Sequence, residues 1–240
     1  MVAGMKTSKK TRGKITVSKD GPYLVTGNLR LTKDVIVPGA DGNPEKWVEE
    51  MTFAGQEAYA LCRCGHSKNK PYCDSSHLTA KFDGTETASR KPYLEMAERT
   101  EGPGVDLTDA VSLCSGAKFC HRAGGTWKLT EASGDPASRD AAIQEVCDCP
   151  SGRLVAWDKK TGDAIEPDLE PSIGIVECPG DHVSGPIRVK GGVLVESADG
   201  TSYEVRNRCT LCRCGKSENK PFCDVTHEDI KFVDGDPSLA

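Results

Sequence analysis

Leu61 to His77 reads L-C-R-C-G-H-S-K-N-K-P-Y-C-D-S-S-H, and Leu211 to His227 reads L-C-R-C-G-K-S-E-N-K-P-F-C-D-V-T-H. Twelve of the 17 positions are identical. Three cysteines and a histidine recur in one order: Cys62, Cys64, Cys73 and His77, then Cys212, Cys214, Cys223 and His227, at a constant offset of 150 residues. Packing does not require that set of side chains twice at fixed spacing, whereas metal binding does.

Three thiolates and one imidazole suit either zinc or an iron–sulfur cluster. Structural zinc sites usually draw a cysteine pair from C-x2-4-C, and here the pair is the tighter C-x-C. The other pair is C-x3-H, about one helical turn, so Cys73 and His77 can share a face. That layout serves a binuclear cluster, one iron taking the C-x-C pair and the other the Cys–His pair. Spacing alone leaves both metals open.

The two loops resemble the CDGSH iron–sulfur family, the mitoNEET-like proteins, whose pattern is C-x-C-x2-[S/T]-x3-P-x-C-D-G-[S/A/T]-H. Ser67, Pro71, Cys73, Asp74 and His77 fall where it asks, as do Ser217, Pro221, Cys223, Asp224 and His227. The resemblance implies two [2Fe–2S] clusters, each held by three cysteines and one histidine. One departure is shared: the family glycine is Ser75 in one loop and Val225 in the other. A β-branched valine is an outlier at positive φ, so a negative, helical φ is predicted at Val225.

The chain has 240 residues, a formal net charge of −5, 37% hydrophobic and 5% aromatic residues. No strong basic field argues for nucleic acid. Small modules with lean cores commonly draw stability from metals. No apolar signal segment precedes the twelve cysteines, and the eight ligand positions account for six of them, so a reducing cytoplasm is the expected location. No stretch approaches the length of a membrane helix. The family's anchored members carry one, so this chain resembles a soluble relative.

Residues 1–13, with Lys6, Lys9, Lys10 and Arg12 and no acidic residue, read as a disordered tail. Short strand patterns come next, at Ile15–Val17, Tyr23–Val25, Leu29–Leu31 and Val35–Val37, punctuated by Gly21-Pro22 and Gly39 to Pro44. A second series runs from Gly185-Pro186 through Val193–Val195 and Tyr203–Val205. Gly21 precedes Leu61 by 40 residues and Gly185 precedes Leu211 by 26, so the first copy carries 14 extra residues, placed near Asp34 to Trp47. The expected fold class is α+β: two β-rich modules at 14–90 and 179–240 forming an intrachain pseudo-dimer, with a small α/β insert at 91–178. Such a pair needs no partner chain and predicts a monomer with an internal pseudo-two-fold.

In the insert, Leu107–Phe119 reads as a helix capped by Asp106, and Ser138–Val146 as a second after Pro136. Arg153–Trp157 and Ile173–Val176 read as strands. The insert loosely resembles a divergent single-cluster ferredoxin-like domain, on Cys114, Cys120-His121 and the Cys147-Asp148-Cys149-Pro150-Ser151-Gly152 turn. The spacing of Cys114, Cys120, Cys147 and Cys149 fits no cluster pattern closely, which leaves a third metal site open against buried structural thiols. Cys178 is expected in the core. Cys209 and His66 are not expected as ligands, because Tyr59 and Lys216 stand at the matching positions; His66 and Lys216 read as solvated surface residues.

A histidine in place of a fourth thiolate leaves the site less negative, so its potential should exceed that of an all-cysteine plant-type cluster. It also couples the site to pH. The expected role is electron transfer, redox sensing or cluster donation to an acceptor protein, the alternative being a structural zinc module that binds another protein. Catalysis is not expected: the chain has no G-x-G-x-x-G, no Walker loop and no nucleophile elbow, and each ligand set is saturated.

Overall fold

The computed structural model describes residues 13–239. The tail expected over 1–13 lies, apart from Gly13, outside the described residues. The first copy supplies β1 (Lys14–Val17), β2 (Tyr23–Thr26), β3 (Arg30–Pro38), β4 (Pro44–Thr52) and β5 (Ala58–Leu61), then α1 (Ser76–Thr79). The middle contains α2 (Tyr93–Met96), β6 (Glu98–Thr100), β7 (Val105–Asp109), α3 (Thr126–Glu131), α4 (Pro136–Asp148), β8 (Leu154–Asp158) and β9 (Ala164–Ile165). The second copy supplies β10 (Ser172–Cys178), β11 (Val183–Lys190), β12 (Leu194–Glu196), β13 (Arg208–Leu211) and α5 (Thr226–Asp229).

The two copies exchange strands. One sheet runs β12-β1-β2-β5 and the other β13-β11-β10-β3-β4. β12 of the second copy lies parallel to β1, with Ile15 opposite Val195. β3 of the first copy lies parallel to β10, with Ile173 opposite Leu31. Alternation turns Ile15, Val17, Tyr23 and Val25 inward from one sheet. Ile173, Ile175, Ile187 and Val189 meet them from the other, and Leu61 and Leu211 complete the heart of this single core. The mixing of both copies in one β-rich body is as the sequence predicts.

A buried ion cluster holds β3 in the foreign sheet. Asp34 on β3 reaches across β10 to Lys190 (2.8 Å) and Arg188 (3.4 Å) on β11 and accepts a hydrogen bond from the Thr32 hydroxyl (2.6 Å). Gly174 of β10 leaves the space, since a Cβ there would stand 2.2 Å from Asp34 Oδ2.

Several elements differ from their sequence reading. Leu29–Leu31 and Val35–Val37 fuse into β3, whose far half pairs with β4. This hairpin is the insertion expected near Asp34 to Trp47. Ile173–Val176 is a strand, as read, but it lies in β10 at the centre of the second sheet, paired with β3 and β11, rather than with the strands of the insert. Tyr203–Val205 is not a strand: Tyr203 is a buried plug, edge-on to Phe222 (5.0 Å) and beneath Arg90 (4.1 Å). Leu107–Phe119 is not a helix. Its start is β7, central in the antiparallel sheet β6-β7-β8-β9, and left-handed residues at Gly116 (φ 77°) and Lys118 (φ 58°) interrupt the remainder. Asp106 pairs with Arg99 (2.6 Å) and Lys159 (2.7 Å) instead of capping.

The expected second helix is α4. Pro136 occupies its first turn, and the Asp135 carboxylate accepts the Ser138 N–H (2.9 Å), a cap worth about 1 kcal/mol. Arg208, fully buried on β13, donates to the carbonyls of Val146 (2.6 Å) and Cys149 (2.8 Å) at the helix's end. Trp47 of β4 stacks on Phe119 (5.0 Å) and donates to the Asp148 carbonyl (3.0 Å). The insert is thereby fixed to both copies.

Candidate metal centres

Each ligand loop leaves a strand and folds back on it. Cys62 comes directly after β5; its N–H donates to the Pro71 carbonyl (2.8 Å) and the Cys73 N–H to the Ala60 carbonyl (2.9 Å). In the second loop Cys212 N–H donates to Pro221 (2.8 Å) and Cys223 N–H to Thr210 (3.0 Å). The Lys70–Pro71 and Lys220–Pro221 bonds are both cis. Ser67 and Ser217 hydroxyls donate to the carbonyls of Tyr72 (2.6 Å) and Phe222 (2.7 Å), closing the turn between.

The expected ligands stand as contacting pairs. Cys62 Sγ lies 3.8 Å from Cys64 Sγ, and Cys73 Sγ lies 3.5 Å from His77 Nδ1. The second loop repeats this at 3.7 Å for Cys212 and Cys214, and 3.3 Å for Cys223 and His227 Nδ1. In both, Nδ1 is the nitrogen turned to sulfur. Among the described residues no three cysteine, histidine or acidic side chains converge as they would around one ion.

The carboxylate after the third cysteine clamps the loop. Asp74 accepts the N–H groups of Lys68 (2.8 Å) and Ser76 (3.0 Å), and Asp224 those of Glu218 (2.7 Å) and Thr226 (3.1 Å). Hydrogen bonds from Ser76 and from Lys68 hold the Asp74 carboxyl well below the usual range. The clamp aims the one-turn helix that carries the histidine.

Family models match these segments. The model described as iron-binding zinc finger, CDGSH type, matches residues 20–78 and 184–228, and a divergent 4Fe-4S mono-cluster model matches residues 100–159 between them. The chain carries two CDGSH-type segments with an insert between them. No curated protein matches it, nor does any solved structure. Among the described residues no helix is long and apolar enough to cross a membrane.

The two CDGSH loops meet back to back. A Cβ on Gly65 would stand 2.5 Å from the Cys214 carbonyl oxygen, and one on Gly215 would stand 2.4 Å from that of Cys64. Both glycines also have φ of 79°, so backbone contact and left-handed geometry together require glycine.

At the departure from the family glycine the backbone is left-handed in both loops, against the sequence expectation: φ is 70° at Ser75 and 79° at Val225. The turn sends the Ser75 N–H toward Cys73 Sγ (3.4 Å) and the Ser76 N–H to Asp74 (3.0 Å). Val225 lies against Gly116 of the insert, where an added Cβ would stand 3.1 Å from its Cγ1.

The insert covers one CDGSH loop of the protein and leaves the other open. Lys118 pairs with Glu228 (3.2 Å) and Asp181 (2.9 Å), and Asn219 donates to the Ser112 carbonyl (2.8 Å). Asp74, Ser75 and Leu78 are exposed, while their counterparts Asp224, Val225 and Glu228 are half-buried. His77 is half-buried; His227 is 4% exposed. Burial first, and the Arg213 charge second, pull His227 down to a pKa of about 4.

The residues missed by sequence reasoning are the arginines between the paired thiols, Arg63 and Arg213, both almost wholly buried. Their identity in the two C-R-C steps was the available signal. Arg213 pairs with Glu177 (2.6 Å) and with Asp234. Arg63 donates to the carbonyls of Gly84 (2.6 Å) and Ser18 (3.2 Å) and lies between the rings of Tyr23 and Phe82, with no carboxylate at ion-pair distance among the described residues. Cys209 packs beside the main core, as Tyr59 does. His66 and Lys216 are exposed, and Cys178 is buried with its thiol on Asp181 (3.1 Å).

Proposed function

We propose that this iron–sulfur protein holds two [2Fe–2S] clusters, one by Cys62, Cys64, Cys73 and His77, the other by Cys212, Cys214, Cys223 and His227, and that it accepts and passes single electrons. The observation that carries this reading is the pairing of the donors. Two thiols at 3.8 Å and a thiol with an imidazole at 3.5 Å suit two adjacent irons. Among the described residues no third donor closes on either pair as a zinc site needs. A cluster bound there would supply one-electron redox chemistry.

The chain's own residues set the conditions. The His66 and Ser75 N–H groups point at Cys64 and Cys73 sulfurs (3.4 Å each), which favours the more electron-rich state. Arg63 and Arg213 add buried positive charge beside the thiols. The back-to-back glycines bring the two ligand loops into contact, so that an electron entering at one has a short path to the other. The partner is a one-electron donor or acceptor protein, or one that accepts a cluster; no catalysis of its own, no nucleic acid and no membrane are involved. All twelve cysteines are free thiols, which suits a reducing cytoplasm.

Metal and sulfide analysis with visible spectroscopy tests the reading. A red-brown protein with inorganic sulfide is expected, and His77→Cys should lower the potential of one cluster and make that cluster acid-resistant. Zinc without sulfide would overturn it.

A further inference from the structure

The second ligand loop is crossed by a strap that the first loop lacks. The strap is the chain that follows the first module. Its Thr87 and Ala88 N–H groups both donate to the Lys220 carbonyl (2.8 and 2.9 Å), and the Thr87 hydroxyl donates to the Glu218 carbonyl. Ala88 is buried against the main core. Glu86 accepts from the Tyr203 hydroxyl (2.8 Å). Backbone acceptors beside the loop are thus met by a segment that is neither helix nor strand.

The matching place over the first loop is an open groove. Phe53 stands where Tyr203 does. Each lies edge-on to the ring before the third cysteine, Phe53 to Tyr72 (6.0 Å) and Tyr203 to Phe222 (5.0 Å). Each donates its N–H to an exchanged strand, Phe53 to the Leu31 carbonyl (3.0 Å) and Tyr203 to that of Val195 (2.9 Å). Lys70 matches Lys220, yet among the described residues nothing donates to the Lys70 carbonyl or to that of Lys68. Lys33, Met51, Phe53, Lys70 and Pro71 instead border a groove of about 210 Å3, closed opposite by Ile175 and residues 234–237. That is far more space than one water fills. The chain after the second module does not cross it, because Asp236 turns aside to Lys33 (2.6 Å). The charges along the groove are already engaged: Lys33 with Asp236 and Glu50, Glu177 and Asp234 with Arg213, and Lys70 Nζ with the Ser67 carbonyl (2.6 Å). An occupant has no ion pair to make there, and Phe53 offers no hydroxyl for a carboxylate at the position of Glu86.

We propose that this groove receives a peptide strap from a partner protein, seated over the first loop as residues 85–90 are seated over the second. The strap presents two successive N–H groups to the Lys70 carbonyl and a serine or threonine hydroxyl to that of Lys68. A small residue follows where Ala88 would be, and an uncharged one stands where Glu86 would be. Main-chain hydrogen bonds supply the affinity and the small residue the selectivity. The strap lies along Pro71, whose carbonyl holds the Cys62 N–H (2.8 Å), so it brings the partner against the exposed ligand loop. The inference does not depend on which metal the loops hold.

The test uses the full metal-loaded chain and a fluorescein-labelled peptide with the sequence of residues 84–91 carrying Glu86→Val. Fluorescence anisotropy should show saturable binding. The same peptide N-methylated at the residues matching Thr87 and Ala88 should bind at least roughly ten-fold more weakly, from the loss of two hydrogen bonds. Met51→Trp, at a half-exposed position on the groove's rim, should fill the space and abolish binding, with unchanged near-UV circular dichroism reporting an intact fold. No binding at about 1 mM peptide overturns the inference. So does binding indifferent to both N-methylation and Met51→Trp, which would place the peptide elsewhere. Binding that appears only after residues 1–12 are deleted would assign the groove to the chain's own tail, and a concentration-dependent dimer dissolved by the peptide would assign it to a second copy; either result overturns the partner strap. Zinc without sulfide would sink the proposed function and leave this result standing.

Discussion

Acid should empty the two ligand loops one at a time. His227 is held at a pKa of about 4 against an ordinary 6.5, a bias of about 3 kcal/mol against protonation. Its folded value lies below the unfolded one. As pH falls from about 6.5 toward 4, the released imidazole takes up a proton that the folded one refuses, so the folded arrangement loses stability across that window. Proton attack on the bound state, however, needs the buried ring to accept charge beside Arg213, and that barrier slows it. His77 is half-buried, and its loop is the exposed one. The first loop should therefore lose its cluster first, and the second should empty roughly 10-fold more slowly at about pH 5, where a ring with a pKa of about 4 is protonated roughly a tenth as often as a free imidazole. The assay is the decay of visible absorption after a jump to about pH 5, below the free imidazole's value. Two phases of similar amplitude are expected, with His77→Cys removing the fast one and His227→Cys the slow one. A single phase, or loss of the fast phase in His227→Cys, would refute the reasoning.

Ser75→Gly should stabilise the protein by about 1 kcal/mol in chemical denaturation, because it relieves an exposed left-handed residue; Val225→Gly should gain less, since it gives up the contact with Gly116. The first cluster should have the higher potential, because Arg213 is ion-paired with Glu177 and Asp234, which offset its charge in part, while Arg63 has no carboxylate at ion-pair distance among the described residues. Arg63→Met should narrow that gap by roughly 90 mV, for a charge roughly 8 Å away at an effective dielectric of about 20, measured by redox titration. Asp34→Ala should cost about 3 kcal/mol, since it strands Arg188 and Lys190 in the interior; a denaturation midpoint unchanged from wild type would count against the buried ion cluster.

Much of this was legible in the residues. The ligand loops announce themselves because their side chains are rare, ordered and repeated. The alternation of Ile15, Val17, Tyr23 and Val25 marks strands that bury one face. Strand exchange was expected as a mixing of copies, but which strands cross was not readable: Arg30–Pro38 pairs as well, by pattern, with its own copy as with the other. The false helix at Leu107–Phe119 has apolar residues at helical spacing, yet Val105 and Leu107 serve a strand buried on both sides, where periodicity is ambiguous. Val225 misled because propensity was weighed without the sulfur-directed turn. That Cys114, Cys120 and Cys149 line one pocket while Cys147 stands beside Arg208 depends on where α4 ends, a boundary that sequence places poorly.

The crossing of β3 and β12 fixes the order in which this molecule can be completed. The partner of β1 is Leu194–Glu196, so a ribosome must translate most of the chain before the sheet that supports the first ligand loop has its last strand. Contacts between residues so distant in sequence close slowly, and Cys62, Cys64 and Cys73 wait meanwhile without their final scaffold. Both loops consequently mature at the same late moment, and a chain truncated before residue 194 should yield neither site intact rather than one.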